Sequence, residues 1–160
     1  MGTLTVTGLN TGQTDLNINA GEVSATVPVT VLEPVNLFPD IPTFTKNGVS
    51  VTNNGDGTLI IAGTATAGVG EYRDIELDAG RYKTEGCFSS WSVYIRFRNQ
   101  AGQWILQGNG TFTLAERTVI TMHLLVNQGY PGTQPVTLAP KLTRIGDATG
   151  DDPGQEDIIL

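Results

Sequence analysis

Small apolar residues alternate with polar ones over the first 31 positions. Leu4 and Val6 are interleaved with Thr3, Thr5 and Thr7, and Leu16 and Ile18 with Asp15, Asn17 and Asn19. Val23, Ala25, Val27, Val29 and Val31 then share one side of a longer run. A period of two places alternate side chains on opposite faces, so this stretch predicts three short strands. Asn10-Thr11-Gly12 and Ala20-Gly21 supply the turns between them. Pro28 lacks a ladder donor and points to an edge strand or a bulge. Three strands with so few large side chains are marginal alone and need a further surface to cover them.

Glu33-Pro34-Val35 reads as a linker, and Asn36-Leu37-Phe38-Pro39 opens a second, longer region of the same periodicity. Val49 and Val51 run into Asn53-Asn54-Gly55-Asp56-Gly57, the strongest hairpin turn in the chain, and Leu59 and Ile61 follow. Ile75 and Leu77 alternate with Asp74, Glu76 and Asp78, and Ala79-Gly80 turns into Arg81-Tyr82-Lys83. From Trp91 to Arg98 the pattern assigns Trp91, Val93, Ile95 and Phe97 inward. It assigns Ser92, Tyr94, Arg96 and Arg98 outward. Val119 to Val126 is apolar on both sides, as for a central strand. About eight strands between Leu37 and Ile145, with no amphipathic helix, predict an antiparallel sandwich. Trp91, Val93, Ile95, Phe97, Ile120, Met122, Leu124 and Leu138 are its expected core.

Composition adds limits. Charged residues are 16% of the chain and hydrophobic ones 39%, so there is a core but little charged surface. The net charge of -7 is uneven. Asp15, Glu22, Glu33 and Asp40 give the first 45 residues -4, and Asp147, Asp151, Asp152, Glu156 and Asp157 give the last 16 a charge of -5. All nine basic residues lie between, against seven acidic ones, for +2. No concentrated basic patch exists, which argues against nucleic acid as a partner. Cys87 is the only cysteine, so neither an intrachain disulfide nor a thiolate zinc site is available. No secretion signal and no run of about 18 apolar residues is seen, so no membrane partner is expected.

The order of phrases is itself informative. NLFP, GDGTLIIAGTAT, ELDAGRYKTEG, the Tyr/Arg strand, FTLAERTVITMHLLVNQG and PVTLAPKL succeed one another. This succession resembles a jelly-roll module of tail and other surface proteins of tailed bacteriophages, itself similar to carbohydrate-binding modules. The resemblance covers Asn36 to Ile145. It implies an all-β fold, an antiparallel jelly-roll sandwich over residues 36–146. The small β segment at 1–35 and the acidic tail at 147–160, both read from the residues, fall outside the resemblance. The resemblance further implies a non-enzymatic role in the virion, as capsid decoration or head fibre in the first instance. A tail or baseplate adhesin, or a free carbohydrate-binding module, is the alternative. The expected partners are other capsid or tail proteins, further copies of the chain (a trimer by family analogy) and a cell-surface glycan, with no cofactor.

Particular residues sharpen these expectations. Tyr94, Arg96, Arg98 and Trp104 are the glycan-binding candidates, since rings stack on sugars and guanidinium groups hydrogen-bond them. Tyr72 and Tyr130 are further aromatic candidates. Leu4, Val6, Leu16, Ile18, Ile158, Ile159 and Leu160 are the apolar candidates for assembly and anchoring. His123, the only histidine, shares a side with Val119, Thr121 and Leu125 and reads as structural, because a catalytic base needs a positioned partner. Asp74, Glu76 and Asp78 stand about 6.6 Å apart along one side of a strand. That spacing reads as a solvated face, with calcium binding as the alternative and no metal assigned.

Overall fold

The structure is a computed structural model that describes residues 4–7, 12–31, 34–148 and 155–158. Among them there is no helix. Sixteen strands lie among the described residues: β1 (Leu4–Thr7), β2 (Gly12–Ala20), β3 (Val23–Val31), β4 (Phe44–Lys46), β5 (Val49–Asn53), β6 (Leu59–Ala62), β7 (Val69–Leu77) and β8 (Gly80–Glu85). There follow β9 (Phe88–Ser90), β10 (Val93–Arg98), β11 (Trp104–Gln107), β12 (Gly110–Leu114), β13 (Thr118–Val126), β14 (Val136–Leu138), β15 (Lys141–Gly146) and β16 (Gln155–Ile158). The region from Phe44 to Gly146 thus holds twelve strands where about eight were expected. Turns written with Gly and Asn divide runs that the pattern alone leaves whole.

Three antiparallel sheets build the sandwich. One has the order β11-β10-β13-β7 with β9 also paired to β10; a second is β12-β8-β15; a third is β14-β6-β5-β4. Their inner faces meet in one contiguous core, which includes Val49, Val51, Ile61, Tyr82, Val93, Ile95, Phe97, Ile120, Met122 and Leu124. Strict alternation on β10 produces this: Val93, Ile95 and Phe97 are fully buried, and each stood on the predicted inward side. Phe97 packs on Phe112 with ring centroids 6.0 Å apart, and Phe112 stacks on Tyr82 at 5.4 Å.

The predicted hairpin turn joins β5 to β6. Asp56 accepts hydrogen bonds from the Thr58 hydroxyl at 2.6 Å and its backbone N–H at 2.9 Å, and these hold its carboxyl below the usual range. The domain opening is also pinned. Asn36 Oδ1 accepts from the N–H groups of Phe38 and Leu142, and its amide donates to the Pro140 carbonyl.

Trp91 corrects the sequence reading. It is 74% exposed, because the strand begins at Val93 and not at Trp91. Ser90 faces Val93, and Trp91-Ser92 is the turn between β9 and β10. Ser90 Oγ accepts from the N–H groups of both Ser92 and Val93, which fixes that turn and swings the indole outward.

The remaining strands form two separate pairs. β1 lies antiparallel to β16, Leu4 opposite Ile158 and Val6 opposite Glu156, which joins the two ends of the chain. β2 and β3 form a hairpin, closed by Gly21-Glu22 with Ala20 facing Val23 and Gly21 at a φ of 64°. A two-residue turn makes its closing pair hydrogen-bonded, and bonded and non-bonded pairs alternate from there. Pro28 opposite Asp15 therefore falls on a non-bonded pair. Its missing N–H interrupts the outer edge of β3 and leaves the ladder intact. The outer edge of β2, with the N–H groups of Gln13, Asp15, Asn17 and Asn19, is complete.

Candidate functional site

The outer face of the five-stranded sheet collects the rings and guanidinium groups that the sequence scatters. Antiparallel register does the gathering. Arg98 on β10 stands opposite Trp104 on β11 and Thr121 on β13, and Arg96 stands opposite Gln107 and His123. His123 in turn faces Tyr72 on β7. Adjacent strands are about 4.8 Å apart, so these side chains form a continuous row across four strands.

The row is stacked. Tyr72 and His123 lie 3.9 Å apart between centroids at an angle of 18°, and Trp104 and His123 lie 6.4 Å apart at 20°. The Arg96 guanidinium carbon sits 3.6 Å from the Trp104 ring centre, within cation–π range, and that of Arg98 is 5.5 Å from the Tyr72 ring. Tyr72 and Trp104 are each 50% exposed. Phe88 and Trp91 add an exposed edge-to-face pair, 5.5 Å between centroids, on the adjoining β9–β10 hairpin. Exposed apolar surface of this kind, grouped on one sheet, marks an interaction face.

His123 is the pivot of the row. It is buried, and Arg96 Nε donates to its Nδ1 at 3.3 Å, which places the ring proton on Nε2. Nε2 is itself buried without a partner, in a space that exists because residue 70 is glycine. A Cβ at Gly70 would stand 2.7 Å from that nitrogen. Burial, reinforced by Arg96 and Arg98, lowers the His123 pKa from 6.5 to about 4. Neither nitrogen is open to a substrate, so the ring serves as a neutral spacer between Tyr72 and Trp104.

The four glycan candidates separate. Arg96, Arg98 and Trp104 come together on one face. Tyr94 does not join them: it points away from the core but is 8% exposed, so its ring is closed to a ligand. Tyr72 takes its place. The signal for Tyr72 was present in the alternation Gly70, Tyr72, Asp74, Glu76, which puts it on the outer side of its strand. Tyr130 is buried in the core and its hydroxyl donates to the Gln134 carbonyl.

The other candidates are placed as follows. Asp74 accepts from the Thr121 hydroxyl at 2.7 Å, and Glu76 and Asp78 face Arg117 at 2.7 and 3.7 Å. Among the described residues no three His, Cys, Asp or Glu side chains converge on a metal position. Leu16 and Ile18 are half-buried, opposite Val27 and Ala25 in the hairpin. Ile159 and Leu160 lie outside the described residues. Cys87 is buried, and desolvation pushes its thiol up to about 12, which makes it inert at neutral pH. Shallow depressions of about 360 and 170 Å³ lie elsewhere, the larger beside Leu37, Leu77 and Arg144.

No protein-family model matches the chain, and no curated protein or solved structure matches it.

Proposed function

We propose that the chain is a non-enzymatic structural protein of a tailed-phage virion, a jelly-roll module held on the particle by its terminal segments. The assignment to a virion rests on the order of sequence phrases from Asn36 to Ile145. One observation carries the anchoring role. The β2–β3 hairpin has Leu16, Ile18, Val27 and Val29 on one side, only half-buried, and Val23 is 71% exposed. No strand of the sandwich packs extensively on that side among the described residues. A two-stranded ribbon with an uncovered apolar face gains its stability from a partner. The complete outer edge of β2 is the side on which another chain's strand adds. Capsid decoration or head fibre is the first assignment, with further copies of the chain and other virion proteins as partners.

The test is co-sedimentation with expanded capsids and with tails of the parent phage. The intact chain is expected to sediment with capsids, and a chain lacking residues 1–31 to stay in the supernatant. Equal sedimentation of both forms removes the anchoring role, and sedimentation with tails alone moves the protein to the tail.

A second reading, glycan binding as an adhesin, is favoured by the row of Tyr72, His123, Arg96 and Trp104. It is compatible with anchoring, because the row and the hairpin belong to different sheets. Here the protein holds a sugar between exposed ring faces and directed guanidinium donors and performs no chemistry on it.

A further inference from the structure

Resting on the glycan reading of this face, we propose that it selects an acidic sugar, a pyranose that carries a carboxylate, with Arg96 and Arg98 as the carboxylate's partners. The first ground is the pairing of charges. The chain has 16 acidic side chains for 9 basic ones, and three of the basic groups elsewhere pair with carboxylates: Arg73 with Glu71, Lys83 with Glu85 and Arg117 with Glu76 and Asp78. Arg96 has an imidazole as its partner and Arg98 lies toward an aromatic ring. Two half-buried arginines two residues apart on one side of β10, with no carboxylate pair among the described residues, offer their guanidinium groups to an anion from outside.

The second ground is the distribution of charge across the face. β11 contributes Trp104 and the exposed Gln107, and β13 contributes Thr121 and His123, none of them anionic. The carboxylates of this face, Asp74 and Glu76, belong to β7 at the far side. Asp74 is two strands from Arg98, and both it and Glu76 are engaged by Thr121 and Arg117. Burial keeps His123 neutral, so it separates the rings without repelling Arg96. The face therefore carries two positive groups, Arg96 over Trp104 and Arg98 toward Tyr72, while its carboxylates are already engaged. Trp104 and Gln107 stand beside Arg96 for a ring face and its hydroxyl groups. A nucleic acid offers rings and negative charge as well. A chain of net charge -7 with two arginines at the site lacks the basic track a phosphate backbone requires.

The experiment is affinity electrophoresis of the full chain through native gels. The gels contain polygalacturonate, alginate or hyaluronan, the carboxyl-reduced form of each, or a thymidine oligonucleotide. At least one acidic polysaccharide is expected to retard the protein, with a loss of tenfold or more when its carboxylates are reduced to alcohols. Arg98→Gln and Arg96→Lys are each expected to lose about tenfold, because a lysine keeps the charge but not the planar fork. Circular dichroism melts check that both variants stay folded. Equal retardation by acidic and reduced forms, abolished by Trp104→Ala, overturns the acidic preference and leaves the glycan reading standing. Retardation by none of the polysaccharides removes both. Retention by the oligonucleotide alone makes the face a single-strand binder and overturns the proposal.

Discussion

Two apolar faces in this molecule are written in the same alternation and have opposite fates. The inner side of β10 presents Val93, Ile95 and Phe97, each fully buried beneath the facing sheets. The apolar side of the β2–β3 hairpin presents Leu16, Ile18, Val27 and Val29, all half-buried, with Val23 open to water. Alternation states which side of a strand is apolar. It does not state whether anything lies on it. The sandwich covers its face with sheets from the same chain, whereas no sheet of the sandwich packs extensively on that of the hairpin among the described residues.

The sharpest way to break this comparison is to truncate one residue on each face. Phe97→Ala opens a cavity in a packed core and is expected to cost about 4 kcal/mol, a fall in melting temperature on the order of 10 °C. Leu16→Ala is expected to cost below about 1 kcal/mol in the isolated chain, since it leaves a surface already wet. Under the proposed anchoring role its larger effect is expected on assembly. Calorimetry on both variants decides, and a large destabilisation by Leu16→Ala shows that the hairpin face is covered within the chain.

Two glycines sharpen it further. Gly86 and Gly21 share a φ of 64°. A Cβ at Gly86 would stand 2.0 Å from the Ala139 carbonyl oxygen, while at Gly21 nothing lies within 4 Å. Gly86→Ala is therefore expected to cost on the order of 3 kcal/mol, through backbone strain plus a clash that must displace the β14–β15 connection. Gly21→Ala carries the strain alone, about 1 kcal/mol. Chemical denaturation measures both, and equal costs remove the distinction between a packed turn and a free one.

A further difference is the dependence on pH that the sandwich owes to His123, since the hairpin contains no histidine. The folded protein holds this ring at about 4, below its ordinary 6.5, so between those values the unfolded chain binds the extra proton. Stability falls as pH drops from 6.5 toward 4, by on the order of 2 kcal/mol, and His123 adds no dependence above 6.5. His123→Gln should flatten that part of the curve. A proton titration by NMR that finds this ring near 6.5 refutes the burial argument.

Much of the architecture is legible in the residues. Val93, Ile95 and Phe97 lie inward as alternation requires, and the Asn-Gly-Asp-Gly turn closes the β5–β6 hairpin where it was expected. Trp91 was misplaced because a two-residue turn and a strand residue look alike when both continue one alternation. Only the Ser90 hydroxyl bonds to Ser92 and Val93 separate them. Tyr94 leaves the strand on the expected outer side but is covered: the period tells which side a ring leaves the strand, and not whether neighbours close over it.

By itself the sequence determined the all-β character, the inward side of β10, the acidic ends and the interruption that Pro28 writes into one edge. These follow from local rules, namely the period of two, turn chemistry and the missing proline donor. Only the tertiary structure decided that Tyr72, Arg96, Trp104 and His123 stand in one stacked row, because they come from four strands whose neighbours are set by antiparallel register. The hydrophobic pattern specifies a face, but which strands lie side by side depends on how all the faces are buried together.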